Sequence, residues 1–425
     1  MTAPANASPR ILAANRPDYH NLDAILQFPP FAGKTGETLA LAIYDHFTST
    51  VDGTYHFWPL DEVKAHPQTR NMLIDPVKLL NIAGWAICGQ TAHTLLALYT
   101  AAGLKARLIG APGHSLCEVF YDNQWHILDV DMWTWFKTPR GHIASAYELT
   151  QNPHELIVHN TNKSKPCNLP DRSLDDYATM YQNAATKNGD IGVIAPPYTV
   201  RLHNMDFTLR PGETLVRSQI PQGRFHMPDS WIPMIEKYRK EWKGHPQERY
   251  APRRTYGNGR WIYHPNLASR SDDLTLGAWR REGLTQTPHG LAGPGAVTFR
   301  IQSPYPFCGR PEINGQTIVA ADGVWLDAAG DGSLTIDLLD AQGVWRPVLT
   351  NPTDTFNARL DITDAMDGRY DTLVRITLAD DTALTDIRFD GYIMTSPMSL
   401  PRLVEGTNPL ELRTGDALGL ATPPW

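Results

Sequence analysis

Residues 115–121 and 124–131 each alternate apolar and polar side chains, and only Asp122-Asn123 separates them. A period of two marks a half-buried strand, and a two-residue Asp-Asn turn closes two such strands into an antiparallel hairpin. Residues 104–110 alternate in the same way and supply a third strand. The turn sets the register, placing His114 opposite Asp131 and Leu116 opposite Asp129. Side chains two apart share a face, so His114, Asp129 and Asp131 are expected on one side of the hairpin. A slip of one residue would put the histidine and the aspartates on opposite faces, so the expectation rests on the turn.

The segment before the hairpin reads as a helix. Asp75-Pro76 is a cap followed by a first-turn proline, and Gly84-Trp85-Ala86-Ile87 then interrupts the chain. After Cys88, the residues Ala92, Leu95, Leu96 and Tyr99 recur at the spacing of one buried helical face, and Gly103 supplies the left-handed stop. Cys88 is therefore expected at the helix N-terminus, where unpaired N–H groups and the macrodipole stabilise a thiolate. The competing reading is a buried structural cysteine. His114 and the aspartates favour chemistry: an imidazole takes the thiol proton, and a carboxylate on its other nitrogen fixes tautomer and orientation. Asn81 and Trp85 are both candidates to assist the Cys88 N–H in an oxyanion hole, and both are equally at home as packing residues. His93 lies five positions after Cys88, about 140° round the helix, and should not face the thiol.

The run from Gly84 to Ala92, then Ala101 to Arg107, resembles the core of the transglutaminase-like superfamily. So does Gly113-His114-Ser115-Leu116-Cys117-Glu118-Val119, followed by Trp125-His126-Ile127-Leu128-Asp129. That family carries a cysteine on a helix, His-x-x-x-Glu-Val on a strand and Trp-x-x-x-Asp on the next. The resemblance covers residues 35–150, about a quarter of the chain. It implies an α+β, papain-like helix-plus-antiparallel-sheet core with Cys88 as nucleophile, His114 as base and Asp129 as orienting acid. One departure is Val130, where the family often has proline; Asp131, next to it, offers a second carboxylate for the same role.

At 425 residues the chain is long for one domain, and two or three are expected. Residues 1–150 carry an N-terminal helical stretch (Leu39, Ile43, Tyr44, Phe47) and the helix-plus-hairpin core. Residues 151–290 read as irregular, with one short helix from Ser230 to Lys243. Residues 291–425 change to short alternating segments such as Ala296–Ile301, Ser333–Leu338, Thr372–Leu378 and Asp386–Ile393, the pattern of an all-β sandwich. No apolar run approaches membrane-spanning length. Met1 to Pro17 has neither the basic nor the apolar region of a leader, so the chain as written is expected in the cytoplasm, or in the periplasm or outside the cell once a leader is removed. The four cysteines, Cys88, Cys117, Cys167 and Cys308, are too spread for a disulfide framework or a metal-ligand spacing. A zinc site from His114, Cys117 and another group stays open as an alternative, but alternation places Cys117 on the opposite strand face from His114. Neither metal nor cofactor is expected.

The middle segment stands out by charge. Residues 201–281 hold twelve arginines and three lysines against eight acids, inside a chain of net charge −7. Arginine favours bidentate recognition of carboxylate, sulfate or phosphate, so Arg210, Arg217, Arg224, Arg254 and Arg260 become candidates to bind an anionic substrate. Trp85, Asp131, His226 and Tyr256 complete the candidate lining. The interleaved Trp231, Trp242, Trp261 and Trp279 could stack on sugar rings or simply anchor the packing. Equally, the arginines could bridge the domains through ion pairs. The overall acidity and the lack of any binding motif exclude nucleic acid.

Two chemistries fit. The first is acyl transfer or hydrolysis at an amide by a Cys-His-Asp triad, with water as the expected acceptor, on a peptide or glycan-bearing substrate. The second is a carbohydrate-active enzyme, such as a lyase of an acidic polysaccharide, in which arginines neutralise a uronate and a His or Tyr removes the C5 proton. A silent binding protein is the third reading, and the complete triad argues against it. Oligomeric state cannot be read from the chain.

Overall fold

The computed structural model describes residues 8–48, 55–56, 75–83, 85–86, 88–159, 173–184, 192–194, 203–218, 259–309, 312–313, 316–317, 323–351, 354–396, 399–401, 403 and 405–415. Arg224, His226, Arg254, Tyr256, Trp231, Trp242, Cys167 and the expected helix from Ser230 to Lys243 lie outside them, and of Trp85 only the backbone is described. Helices combine with mostly antiparallel sheets. Among the described residues no helix is long and apolar enough to cross a membrane.

Among the described residues, α1 (Leu22–Leu26) and α2 (Gly36–Phe47) follow a strand, Ser8–Ala13, and α3 (Cys88–Ala101) follows the short helical segments Pro76–Lys78 and Leu79–Ala83. On α2, Leu39, Ala40, Ile43, Tyr44 and Phe47 are buried, the spacing of one helix face. On α3 the buried set is Thr91, Ala92, Thr94, Leu95, Leu98 and Tyr99, with Leu96 only half-buried. Its end is a Schellman-type stop: Gly103 sits at φ 81°, and Leu104 N–H donates to the Tyr99 carbonyl at 2.9 Å.

The sheet that follows contains β1 (Lys105–Ala111), β2 (His114–Tyr121) and β3 (Gln124–Ile127), with β4 (Gly192–Ile194) beside β1. The register is the expected one: Tyr121 faces Gln124, and Glu118 faces Ile127. Both turn residues have positive φ, Asp122 at 47° and Asn123 at 60°, as the turn type requires. Alternation divides the cores. Cys117, Val119 and Tyr121 join the cluster that contains α3, whereas Leu116, Ile109 and Ile127 join Tyr177, Ala178 and Tyr181 on the other face.

Two expectations need correction here. The strand after the turn ends at Ile127, not 131, because the chain folds on itself: Asp129 and Thr134 exchange backbone hydrogen bonds at 3.0 Å in both directions. Trp133, buried inside that loop, takes a left-handed φ of 53°, which β-strand geometry cannot accommodate. Residues 151–290 are also not uniformly irregular. They contain α5 (Leu174–Ala184), which covers the second face of the sheet behind α4 (Ala146–Gln151). They also contain strands Glu213–Arg217, Gly259–Tyr263 and Ala278–Glu282.

Those three strands belong to the β-rich part. One sheet runs Ala278–Glu282, Gly295–Gln302, Asp371–Leu378, Leu334–Leu339, Trp345–Asn351; the other centres on Ala383–Ile393 and Val324–Asp331, with Gly259–Tyr263 and Glu213–Arg217 attached. The sheets face each other through Phe299 and Phe389, whose ring centroids lie 5.9 Å apart. Along Val324–Asp331 every second residue is buried, the pattern of a strand with one face in a core.

The helical and β-rich parts are tied at the turn that leads to Cys88. Asp75 accepts from the N–H groups of Val77 (2.9 Å), Lys78 (3.2 Å) and His203 (2.5 Å). Ser396 N–H donates to the Asn81 carbonyl at 2.8 Å, and Lys78 Nζ lies 4.8 Å from the centre of the Tyr370 ring.

Candidate active site

Cys88 is the first residue of α3 and is half-buried. The residues before it form a two-residue strand, Trp85–Ala86, paired in parallel with Tyr55–His56, so the helix begins abruptly at the thiol. Thr91 donates its hydroxyl to the Cys88 carbonyl at 2.9 Å, which holds the first turn. His114, the first residue of β2, is buried, and a ring nitrogen lies within 4.8 Å of Cys88 Sγ.

The far side of the ring belongs to Asp129. His114 Nε2 lies 2.8 Å from Asp129 Oδ2, and Asp129 Oδ1 accepts the Met132 N–H at 3.0 Å. The short loop from Asp129 to Thr134 thus orients its own carboxylate, through a side-chain bond to the backbone N–H three residues on. Tyr177 on α5 donates its hydroxyl to the same Oδ2 atom. With Nε2 engaged by Asp129, Nδ1 is the nitrogen on the thiol side, and Asp131 Oδ2 lies 3.7 Å from it.

The charges explain the state of the ring. Burial disfavours the imidazolium, but the Asp129 charge, its hydrogen bond, the contact with Cys88 and the Asp131 charge outweigh burial and hold the His114 pKa well above the ordinary histidine range. Tyr177 moves upward too, through burial first and then the Asp129 charge, so its hydroxyl keeps its proton and remains a donor.

The remaining residues of the motifs have structural partners. Glu118 is fully buried; it accepts from the N–H of Ala146 at 2.6 Å and from Arg107 Nε at 2.7 Å. Arg107 in turn lies 4.1 Å from the centre of the Trp125 ring. One cation therefore joins the Glu of one motif to the Trp of the next across three adjacent strands. Cys117 is buried on the opposite face from His114, so the two cannot share a metal. His93 bonds back to the Gly89 carbonyl at 2.6 Å rather than to the thiol.

The structure brings together Cys88, His114, Asp129 and Asp131. It does not bring the described arginines to them. Arg210 bonds to Glu213 at 2.9 Å and to the Arg300 carbonyl at 2.7 Å, and stacks on Tyr263 at 3.9 Å. Arg217 donates to the Tyr305 hydroxyl at 2.9 Å, and Arg260 makes two bonds to Asp390, at 2.7 and 2.5 Å. All these partners lie in the β-rich part, and these arginines hold its attached strands in place. Asn81 takes the packing role: its side-chain amide donates to the carbonyls of Tyr19 (2.7 Å) and Val77 (2.8 Å), which commits both N–H bonds.

Tyr177 is the residue that sequence reading missed. Its helix had a usable signal, Ser173-Leu174-Asp175-Asp176, where Ser173 Oγ accepts from Asp176 N at 3.0 Å and Asp176 Oδ2 accepts from Ser173 N at 3.0 Å. Nothing in that signal points to Asp129.

No protein-family model matches this chain, and no curated protein matches it. Among solved structures, a mutant of a family 29 carbohydrate-binding module is 13% identical, spans 32% of this chain and 92% of its own, and has a TM-score of 0.18. A CBM4 structure is 11% identical, spans 32% of this chain and 87% of its own, and has a TM-score of 0.15. Scores this low leave the site's own geometry to carry the functional argument.

Proposed function

We propose that this protein is a transglutaminase-like thiol enzyme that transfers or hydrolyses an acyl group at an amide. One observation carries the reading: Cys88 Sγ lies within 4.8 Å of a ring nitrogen of His114, whose Nε2 is hydrogen-bonded to Asp129, and Asp129 accepts in turn from Tyr177. In the reaction, the Cys88 sulfur, its proton held on His114, attacks the amide carbonyl carbon. The tetrahedral intermediate expels the amine, which takes its proton from His114 and leaves a thioester on Cys88. Water, deprotonated by His114, then opens the thioester and restores the thiol. Asp129 orients the ring throughout and stabilises the imidazolium.

The hydrogen bond at Nε2 supports Asp129 over Asp131 as the orienting carboxylate. The substrate class is less supported, because three of the five candidate arginines are bonded inside the β-rich part. The polysaccharide-lyase reading gains no observation of its own: His114 is held between Cys88 and Asp129, and the Tyr177 hydroxyl is donated to Asp129.

Active-site labelling tests the thiol mechanism without knowledge of the substrate. Iodoacetamide should alkylate Cys88 far faster than the buried Cys117 and Cys308, and a quenched reaction with an activated ester should leave an acyl group on Cys88, both read by peptide mass spectrometry. Labelling of Cys88 no faster than of the two buried cysteines, with no acyl adduct, would remove the proposal.

A further inference from the structure

The triad uses one aspartate, and the site has two. Sγ of Cys88, a ring nitrogen of His114 and a carboxylate oxygen of Asp131 all lie within 4.8 Å of one another. We infer that these three side chains form a chelating site for a thiophilic divalent cation such as Zn²⁺, and that the metal-bound protein is a blocked form of the thiol enzyme.

The ligand geometry is close to what a tetrahedral ion needs. Zn–S bonds of about 2.3 Å and Zn–N or Zn–O bonds of about 2.0–2.2 Å put ligand atoms roughly 3.3–3.7 Å apart. The separation of 3.7 Å between His114 Nδ1 and Asp131 Oδ2 already matches, and the remaining spacings fall within reach of small side-chain rotations. A thiolate, an imidazole and one carboxylate form a set that selects Zn²⁺ or Co²⁺ over Mg²⁺ or Ca²⁺, which prefer oxygen ligands alone.

The second layer fits as well. Metal-binding histidines usually donate their other N–H to a carboxylate, which fixes the tautomer that presents a lone pair to the ion. His114 makes that bond to Asp129, and the Tyr177 hydroxyl and Met132 N–H hold Asp129 in turn. Three protein ligands leave a fourth position for water, on the side where Cys88 is half-exposed.

Binding and catalysis exclude each other. The ion releases to solvent the protons that Cys88 Sγ and His114 Nδ1 carry and occupies both atoms, so no base and no free nucleophile remain. Asp131 contributes to the blocked state, while Asp129 serves both states by orienting the ring. The inference rests on the same cluster as the proposed mechanism but does not need turnover.

Cobalt absorption of the chelator-treated full-length protein tests it. Titration with Co²⁺ should produce a saturable thiolate-to-cobalt charge-transfer band with tetrahedral ligand-field bands, and Zn²⁺ should displace both. Cys88→Ser should abolish the charge-transfer band. Asp131→Asn should weaken Co²⁺ binding at least about tenfold, the scale of loss seen even for supporting residues of metal sites. In the unaltered protein, Zn²⁺ should protect Cys88 from iodoacetamide. Absence of the charge-transfer band from the unaltered protein at a large excess of Co²⁺ overturns the inference. Its persistence in Cys88→Ser, or undiminished affinity in a folded Asp131→Asn, does the same. A protein that forms acyl-Cys88 but shows no cobalt band contradicts only this inference, and the reverse pair of results contradicts only the thiol mechanism.

Discussion

Tyr177 and His114 meet on one atom, Oδ2 of Asp129, with their rings edge-on at 6.4 Å. The tyrosine lies 48 residues beyond the aspartate and belongs to a different helix. Asp129 is almost fully buried, so these donors stand where water would otherwise solvate its carboxyl group.

Tyr177→Phe removes one donor from that buried carboxylate. The expected loss is about 1–3 kcal/mol of stability, the usual penalty for an unmet buried polar group. Turnover should also fall, because His114 loses part of what holds its partner. Denaturant unfolding and steady-state kinetics check both; a variant with unaltered midpoint and kcat would show the contact to be idle.

Cys88→Ala should leave the folded structure intact and lower activity by several orders of magnitude, as loss of a covalent nucleophile does. Circular dichroism and turnover on any substrate found by the acyl-transfer screen make the comparison. Near-normal turnover would end the thiol mechanism.

His114 should stay protonated well above the ordinary histidine range, since the surrounding carboxylates outweigh burial. A raised folded value means that its contribution to stability is complete below about pH 6.5, the unfolded value, and is lost as pH rises through the folded value. Asp129→Asn removes the largest opposing charge and should bring the titration down. NMR titration of the His114 ring protons reads this directly, and a midpoint near 6.5 in the unaltered protein would contradict it.

His46 and His203 should behave in the opposite way. Burial, with Arg16 nearby, lowers His46 to about 3; burial, with Lys78 nearby, lowers His203 to about 4. Below pH 6.5 the unfolded chain then binds protons that the folded chain refuses, so stability falls with pH, by up to about 1.4 kcal/mol per unit for each such group. His46→Gln should flatten the acid limb of the stability profile between about pH 6 and pH 4. An unchanged slope would show that His46 is not the group responsible.

Arg107→Ala should destabilise the sheet by about 3–5 kcal/mol, because it leaves the fully buried Glu118 without its cation. Arg107→Ala with Glu118→Gln should recover part of that loss. If the single change costs under about 0.5 kcal/mol, the value expected for a surface pair, the ion pair is not structural.

What the sequence decided is local. Asp122 and Asn123 tolerate positive φ, so the hairpin register follows from two residues and the alternation around them. The bounds of α3 follow likewise, from a break before Cys88 and Gly103 after Tyr99. Together these put the thiol at a helix start and the imidazole at a strand start, but not beside each other. What the tertiary structure decided depends on contacts with no local signature. The strand after the turn stops at Ile127 because Asp129 and Thr134 pair across a loop, and that loop aims the carboxylate. Arg210, Arg217 and Arg260 look like a ligand-binding island in composition, yet strand pairing carries them into the β-rich part, where Glu213, Tyr305 and Asp390 take them up. Periodicity and turn chemistry act within a few residues, whereas the partner of a charge is chosen only when distant segments pack, since burial makes an unpartnered charge too costly to keep.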